Sequence, residues 1–104
     1  MKITILGGGH GCYAAAADLS EAGHEVRLWR RDAAALAPLA AAGSIILKDA
    51  NGSREVPLAM ATPDIGQALS GTQLVVIPSP AIAQADIATA MAPHLADGQV
   101  VFLP

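Results

Sequence analysis

The sequence predicts an α/β fold: a doubly wound parallel sheet in three αβα layers, with a small β-hairpin inserted. Three observations predict it. Short β-branched runs alternate with alanine-rich helical stretches along the chain, the order that builds a parallel sheet. The first of those runs, "KITIL", is closed by Gly7-Gly8-Gly9, and a helical pattern starts at His10. A second strand pattern follows, so strand, helix and strand fit within about 30 residues, which calls for parallel pairing through a crossover.

Lys2–Leu6 is a short apolar run ended by glycines, a buried-strand signal. From His10 to Ala22 the apolar positions Cys12, Ala15, Ala16, Leu19 and Ala22 recur at helical spacing. Asp18 and Glu21 fall on the other side, and Gly23 is placed to stop the helix. Glu25–Trp29 ("EVRLW") alternates and predicts a second strand. Asp32 then caps a helix running through Ala42 and stopped by Gly43. Pro38 lies inside it and predicts a kink or two short pieces.

Ser44–Lys48 and Arg54–Ala61 read as two strands joined by "DANG", with Asn51-Gly52 as the turn. Asp64–Leu69 is a short helix, and Gln73–Pro80 ("QLVVIPSP") a strand that proline ends. Ala81–Leu95 is a helix with Ile87, Ala88, Met91 and Leu95 on one face, and Gln99–Leu103 a final buried strand. Pro104 follows that strand directly, where a doubly wound sheet continues with a covering helix. The expectation is one domain, residues 1–104, forming the first part of a longer polypeptide.

Composition narrows the function classes. With 53% hydrophobic and 14% charged residues the chain is not disordered. Aromatics make up 3%, too few for base-stacking surfaces. A net charge of −3 argues against nucleic acid or an anionic membrane as partner. Arg27, Arg30 and Arg31 nevertheless cluster, and such a cluster asks for an anion. The single cysteine excludes an internal disulfide and a cysteine zinc cage, and it points to a reducing compartment. No stretch reaches the roughly 18 apolar residues of a membrane span, and Ile3–Leu6 is too short for a signal core. A cytoplasmic location is expected.

The glycine turn carries the chemistry. The first N–H groups of a helix are unpaired and its dipole is positive there, so a helix opening on glycines holds phosphate. In the dinucleotide fingerprint one glycine makes the tight turn, the next admits the pyrophosphate, and the third lets helix pack on strand. Two registers fit: Gly7-x-Gly9-x-x-Cys12, which starts where the strand ends, and Gly9-x-Gly11-x-x-Ala14, two residues later. The first is preferred, with small, apolar Cys12 filling the seam rather than performing chemistry. Within a β-α-β unit this motif predicts a Rossmann-type domain. The plain alternative is an ordinary glycine-rich turn.

The end of the second strand selects the dinucleotide. An acid there binds the ribose 2′-hydroxyl of NAD, and an arginine accommodates the 2′-phosphate of NADP. Arg30 holds that position, with Arg31 and Asp32 beyond it, so NADP is favoured over NAD. The alternative makes both arginines solvated loop residues and Asp32 only a helix cap. His10 in the turn is a candidate for the pyrophosphate or nicotinamide side, and equally a plain polar turn residue. Ser79, between Pro78 and Pro80, tops a strand on the edge where such sheets bind ligands, or simply ends it. His24 and His94 are isolated, and three scattered histidines make no metal site. No catalytic triad or carboxylate pair stands out.

Together, "ILGGGHGCYAAAADLSEAGHEVRLWRR", "VPLAMATPDIGQALSGTQLVVIPSPA" and "LADGQVVFLP" resemble the N-terminal domain of the octopine/nopaline (opine) dehydrogenase family, and more distantly that of glycerol-3-phosphate dehydrogenase. The resemblance covers essentially the whole chain. The family's turn reads G-x-G-N-G-G; here His10 replaces the asparagine and Cys12 the last glycine. The resemblance implies that Gly7, Gly9 and Gly11 line the pyrophosphate, Arg30 and Arg31 the adenosine ribose phosphate, and Pro78 and Ser79 the cofactor edge. It also implies reductive condensation of an amino acid with a 2-oxo acid, by hydride transfer to an imine. The small-molecule substrate and catalytic groups then belong to a C-terminal helical domain absent here, through which a homodimer would form, and this chain alone is inactive. Glycerol-3-phosphate or ketopantoate reductase-like enzymes are the enzymatic alternatives. A non-catalytic nucleotide sensor comes second as a class, though sensors of that kind carry an acid where Arg30 stands, and a structural domain with a vestigial turn comes third.

Overall fold

A parallel strand buried on both faces needs apolar side chains in both directions, and the first strand has them. Ile3 and Ile5 point one way and Thr4 and Leu6 the other, all four buried. The computed structural model describes residues 1–8, 10–50, 52–78 and 81–103, apart from the side chains of His10, Asp49, Ala81 and Ile82. In chain order the elements are β1 (Lys2–Leu6), α1 (His10–Glu21), β2 (Glu25–Trp29), α2 (Ala33–Ala42), β3 (Ser44–Asp49), β4 (Gly52–Pro57), β5 (Met60–Thr62), α3 (Ile65–Leu69), β6 (Leu74–Val76), α4 (Ala81–Met91), a 3-10 turn (Ala92–His94) and β7 (Val100–Phe102). The predicted doubly wound α/β architecture is the one found.

Five strands form a parallel sheet in the order β5-β2-β1-β6-β7. Chain direction across the sheet therefore reverses between β1 and β6, the place where such sheets open a ligand crevice. The alternation of each strand sends side chains into two cores. Ile3, Ile5, Val26, Leu28 and Val76 meet Cys12, Ala16 and Ala17 of α1 and Leu36 of α2. Leu6, Trp29, Val75 and Ile77 meet Ala68 and Leu69 of α3 and Ile87 and Met91 of α4. On the second face Thr4 donates its hydroxyl to the Ala68 carbonyl (2.7 Å) and also meets Thr72, so a polar residue in a central strand is satisfied.

The predicted hairpin forms from β3 and β4, an antiparallel pair outside the main sheet. Ile45 and Val56 bury one of its faces in the first core, and Arg54 ties it to Glu21 of α1 by a bidentate ion pair. Of its predicted turn, Asn51 lies outside the described residues, and Gly52 takes φ +110°.

Four expectations are corrected. The single strand expected over Arg54–Ala61 is two: β4 stays in the hairpin, and β5 crosses to the main sheet beside β2, with Ala59 N–H donating to Val26 O (2.9 Å). Both pieces are extended and only Leu58 and Ala59 lie between them, so local pattern cannot separate them. The two short pieces expected as one outcome of Pro38 are not found: α2 is a single helix through it. The ring removes one hydrogen bond, but Ala34 and Pro38 are exposed and water can serve the freed carbonyl, while Leu36 and Leu39 hold the helix to the core. Asp32 and Gly43 cap it as expected. Helix α4 ends at Met91, and Pro93 sits in the 3-10 turn that follows, so Leu95 leaves the apolar face and is exposed. Finally, β7 is not buried: Val100 and Phe102 are 60% and 54% exposed. They pair with Leu74 and Val76 at the sheet edge, on a side that no described helix shields from water. No helix among the described residues is long and apolar enough to cross a membrane.

Candidate functional site

The carboxyl ends of β1, β2 and β6 come together over the start of α1. Gly7 closes β1 at φ +130°, a conformation that favours glycine, and its N–H donates to the Trp29 carbonyl at 2.8 Å. The ends of β1 and β2 are thereby locked side by side. Helix α1 begins three residues later and carries no acidic residue in its first turn, so its positive end is left for an anion. A Cβ built on Gly11 has the Pro78 carbonyl oxygen as its nearest neighbour, at 3.6 Å. The fold thus brings Gly11 and Pro78 together at the β1/β6 reversal point. Gly9 and Ser79 lie outside the described residues, as does the His10 side chain. The Cys12 side chain is buried (1% exposed) in the first core; what Cys12 offers the turn is its backbone.

Beside the turn is an open cleft of about 480 Å³. Gly8 borders it at the end of β1, Trp29 to Asp32 form one wall, and Ala83, Asp86 and Ile87 of α4 form the other. Arg30 and Arg31 both reach it but are held differently. The Arg30 guanidinium lies across Gly8 and donates to the Tyr13 hydroxyl at 3.0 Å. The Arg31 guanidinium sits 5.9 Å from the centre of the Trp29 ring and donates to the Asp86 carboxylate at 2.8 Å, on the opposite wall. Trp29 is itself fixed, its indole N–H donating to the Pro63 carbonyl at 2.8 Å. Asp32 accepts from Ala35 N–H as the cap of α2.

Arg27 leaves the predicted three-arginine cluster. Strand alternation puts it on the α3 side, where its guanidinium donates to the carbonyls of Gln67, Ala68 and Ser70 at the end of that helix. It caps a helix C-terminus, where a cation is favoured, and the cleft retains two arginines.

Gly8, Tyr13, Ala83, Asp86 and Ile87 were not foreseen. The last three share a helix face by their i, i+3, i+4 spacing, yet nothing local says that this face looks toward the end of β2. Gly8 is a glycine because Arg30 lies on it: a Cβ would come within 2.4 Å of the Arg30 Nε. The obstacle is the tip of a flexible side chain, and Gly8 is absent from the left-handed glycines. Gly8→Ala should therefore displace Arg30 while the protein melts within a few degrees of the parent. Calorimetry with and without dinucleotide checks it: binding should weaken severalfold, and undiminished binding would show that Arg30's seat is unimportant.

Comparison with known proteins agrees with this geometry. Residues 2–103 match the family model described as NAD-dependent glycerol-3-phosphate dehydrogenase N-terminus. An opine dehydrogenase from Arthrobacter sp. (strain 1C) is 32% identical over 99 residues, covering 95% of this chain and 28% of that protein. A ketopantoate reductase from Ralstonia eutropha JMP134 superposes with a TM-score of 0.83 at 29% identity, over 97% of this chain and 33% of that one. Octopine dehydrogenase in its NADH and L-arginine structure superposes with a TM-score of 0.77 at 27% identity, over 98% of this chain and 28% of that one. The chain thus spans about a third or less of the relatives it matches. With a strand–glycine–helix turn at the reversal point of a parallel sheet, and a family match over residues 2–103, the chain belongs to the NAD-dependent glycerol-3-phosphate dehydrogenase N-terminal family, as a nicotinamide-dinucleotide-binding domain.

Proposed function

We propose that residues 1–104 are the N-terminal cofactor domain of an opine-type dehydrogenase that takes NADP in preference to NAD, with its substrate site in a further domain. One observation carries the cofactor preference. Arg30 and Arg31 follow β2 on the wall of the cleft, while the nearby Asp32 carboxylate is taken up as the cap of α2. A guanidinium fork suits a 2′-phosphate, and the acid that would accept the NAD 2′-hydroxyl is not at the end of the strand. The NADH in octopine dehydrogenase crystals makes NAD the alternative.

In this reading the backbones of Gly7, Gly9 and Gly11, with His10 and Cys12 in the same turn, hold the pyrophosphate. Arg30 and Arg31 take the adenosine ribose phosphate, and Pro78 and Ser79 border the cofactor edge. The bound dinucleotide supplies the hydride. Joining an amino acid to a 2-oxo acid is favoured by the opine dehydrogenase of Arthrobacter and by octopine dehydrogenase with L-arginine. A ketopantoate reductase-like reaction is the second reading, favoured by the superposition on the Ralstonia enzyme. Catalytic groups and any dimer contact then lie outside this chain, which is inactive alone, and the enzyme works in the cytoplasm. Neither nucleic acid nor a membrane is a partner, in keeping with the net charge of −3.

The test is titration of the purified chain with NADPH and NADH separately, by ligand fluorescence or thermal shift. NADPH should bind at least about tenfold tighter, roughly 1.4 kcal/mol. Equal or NADH-biased binding overturns the NADP preference, and no binding of either overturns the chain as a self-sufficient dinucleotide site.

A further inference from the structure

The two cleft arginines differ in the company they keep, and the difference bears on selectivity. Arg30 is held by a neutral hydroxyl, Tyr13, while Arg31 is held by a carboxylate, Asp86, across the cleft at 2.8 Å. We propose that Asp86 is a specificity-determining positioning residue: it holds Arg31 against α4 and so lowers the affinity of the site for a 2′-phosphorylated dinucleotide. This rests on the dinucleotide reading above.

The argument is one of competing anions. A guanidinium binds phosphate best through an edge presenting two parallel N–H groups. The Arg31 Cζ lies over the Trp29 ring at 5.9 Å, and its Nη1 is engaged by Asp86 Oδ2. A 2′-phosphate arriving between the walls must displace that carboxylate or share the guanidinium with it, at a distance where two anions repel. A ribose with a free 2′-hydroxyl brings a donor instead of a charge and meets no such competition. The Arg31 and Asp86 side chains are 58% and 68% exposed, so the pair is weak and exchangeable, and it shifts selectivity without closing the site. The cleft thus carries determinants of both signs: two arginines for the phosphate, and against it Asp86 paired with one of them, while the Asp32 carboxylate is engaged as the cap of α2.

Neutralising the acid reads this out. Asp86→Asn keeps the size and polarity of an exposed side chain in the middle of α4. The ratio of NADPH to NADH affinity should rise about three- to fivefold, the range set by an exposed ion pair. The same rise should appear in the ratio for 2′,5′-ADP over 5′-AMP, which lack the nicotinamide half. The gain should be largest near 0.01 M salt and shrink near 1 M, where screening cuts the range of charge from about 30 Å to about 3 Å; a merely structural effect would not follow salt. In an Arg31→Ala background Asp86→Asn should gain less than it does alone. An unchanged ratio, or an equal gain without Arg31, overturns the role of Asp86 while the dinucleotide reading stands. Failure of the parent chain to bind any of the four probes overturns both.

Discussion

Replacing Arg30 and Arg31 together by alanine is expected to weaken NADPH binding about a hundredfold, and NADH binding about tenfold at most. Hydrogen bonds to charged groups contribute roughly 1.5–3 kcal/mol each. Two solvent-accessible arginines at the low end of that range give about 3 kcal/mol, two decades in affinity. The loss is unequal because the two residues sit differently. Arg30 lies on Gly8 beside the turn, where it would meet the pyrophosphate common to both dinucleotides as well as the 2′-phosphate. Arg31 lies further along its wall, paired across the cleft with Asp86, where only the extra phosphate of NADPH would meet it. Arg31→Ala alone should accordingly remove most of the selectivity, and Arg30→Ala should weaken both ligands. Isothermal titration of the three variants decides this; an equal loss for NADH and NADPH in the double variant would strip Arg31 of its phosphate role.

Leu28→Ala is expected to destabilise the domain by about 3 kcal/mol, within the range of roughly 2–5 kcal/mol for buried leucines. Leu28 is completely buried in β2, whose neighbours are β1 and β5. It belongs to the same core as Ala16 and Ala17 of α1 and Leu36 of α2. A strand paired on both sides cannot shift to fill the space, so the cavity persists. Domains of this kind are stable by only about 5–15 kcal/mol, and each kcal/mol lowers the melting temperature by roughly 4–8 °C at this size. Urea unfolding should show a lower midpoint with an unchanged slope. Ile46→Ala in the hairpin, where Ile46 is 56% exposed, should change stability by no more than about 0.5 kcal/mol. A loss below about 1 kcal/mol for Leu28→Ala would mean that the two walls of this core move together to close the gap.

Much of the fold was legible because its signals are local. Alternation in "KITIL" and "EVRLW", the helical spacing of Cys12, Ala16 and Leu19, the Asp32 cap and the Gly43 stop each involve a few neighbouring residues, and each appears in the structure. The glycine turn was legible for the same reason: strand end, glycines and helix start are contiguous, and the backbone state of Gly7 follows from that contiguity. Where the reading failed, the deciding partner was remote. The boundary between β4 and β5 depends on which strands they pair with. The exposure of Val100 and Phe102 depends on what covers the sheet edge. Arg27 parted from Arg30 and Arg31 because α3 presents its carbonyl end to that face of β2.

By itself the sequence determined most of the elements, the glycine turn after β1 and the presence of basic residues at the end of β2, since these are properties of short stretches of backbone and side chain. Only the tertiary structure decided what faces those arginines. Asp86 is 55 positions from Arg31 in the chain, and Tyr13 is 17 from Arg30. The strand order that sets α4 opposite β2 is a consequence of packing the whole sheet, so the charge balance of the cleft exists only once both cores are formed.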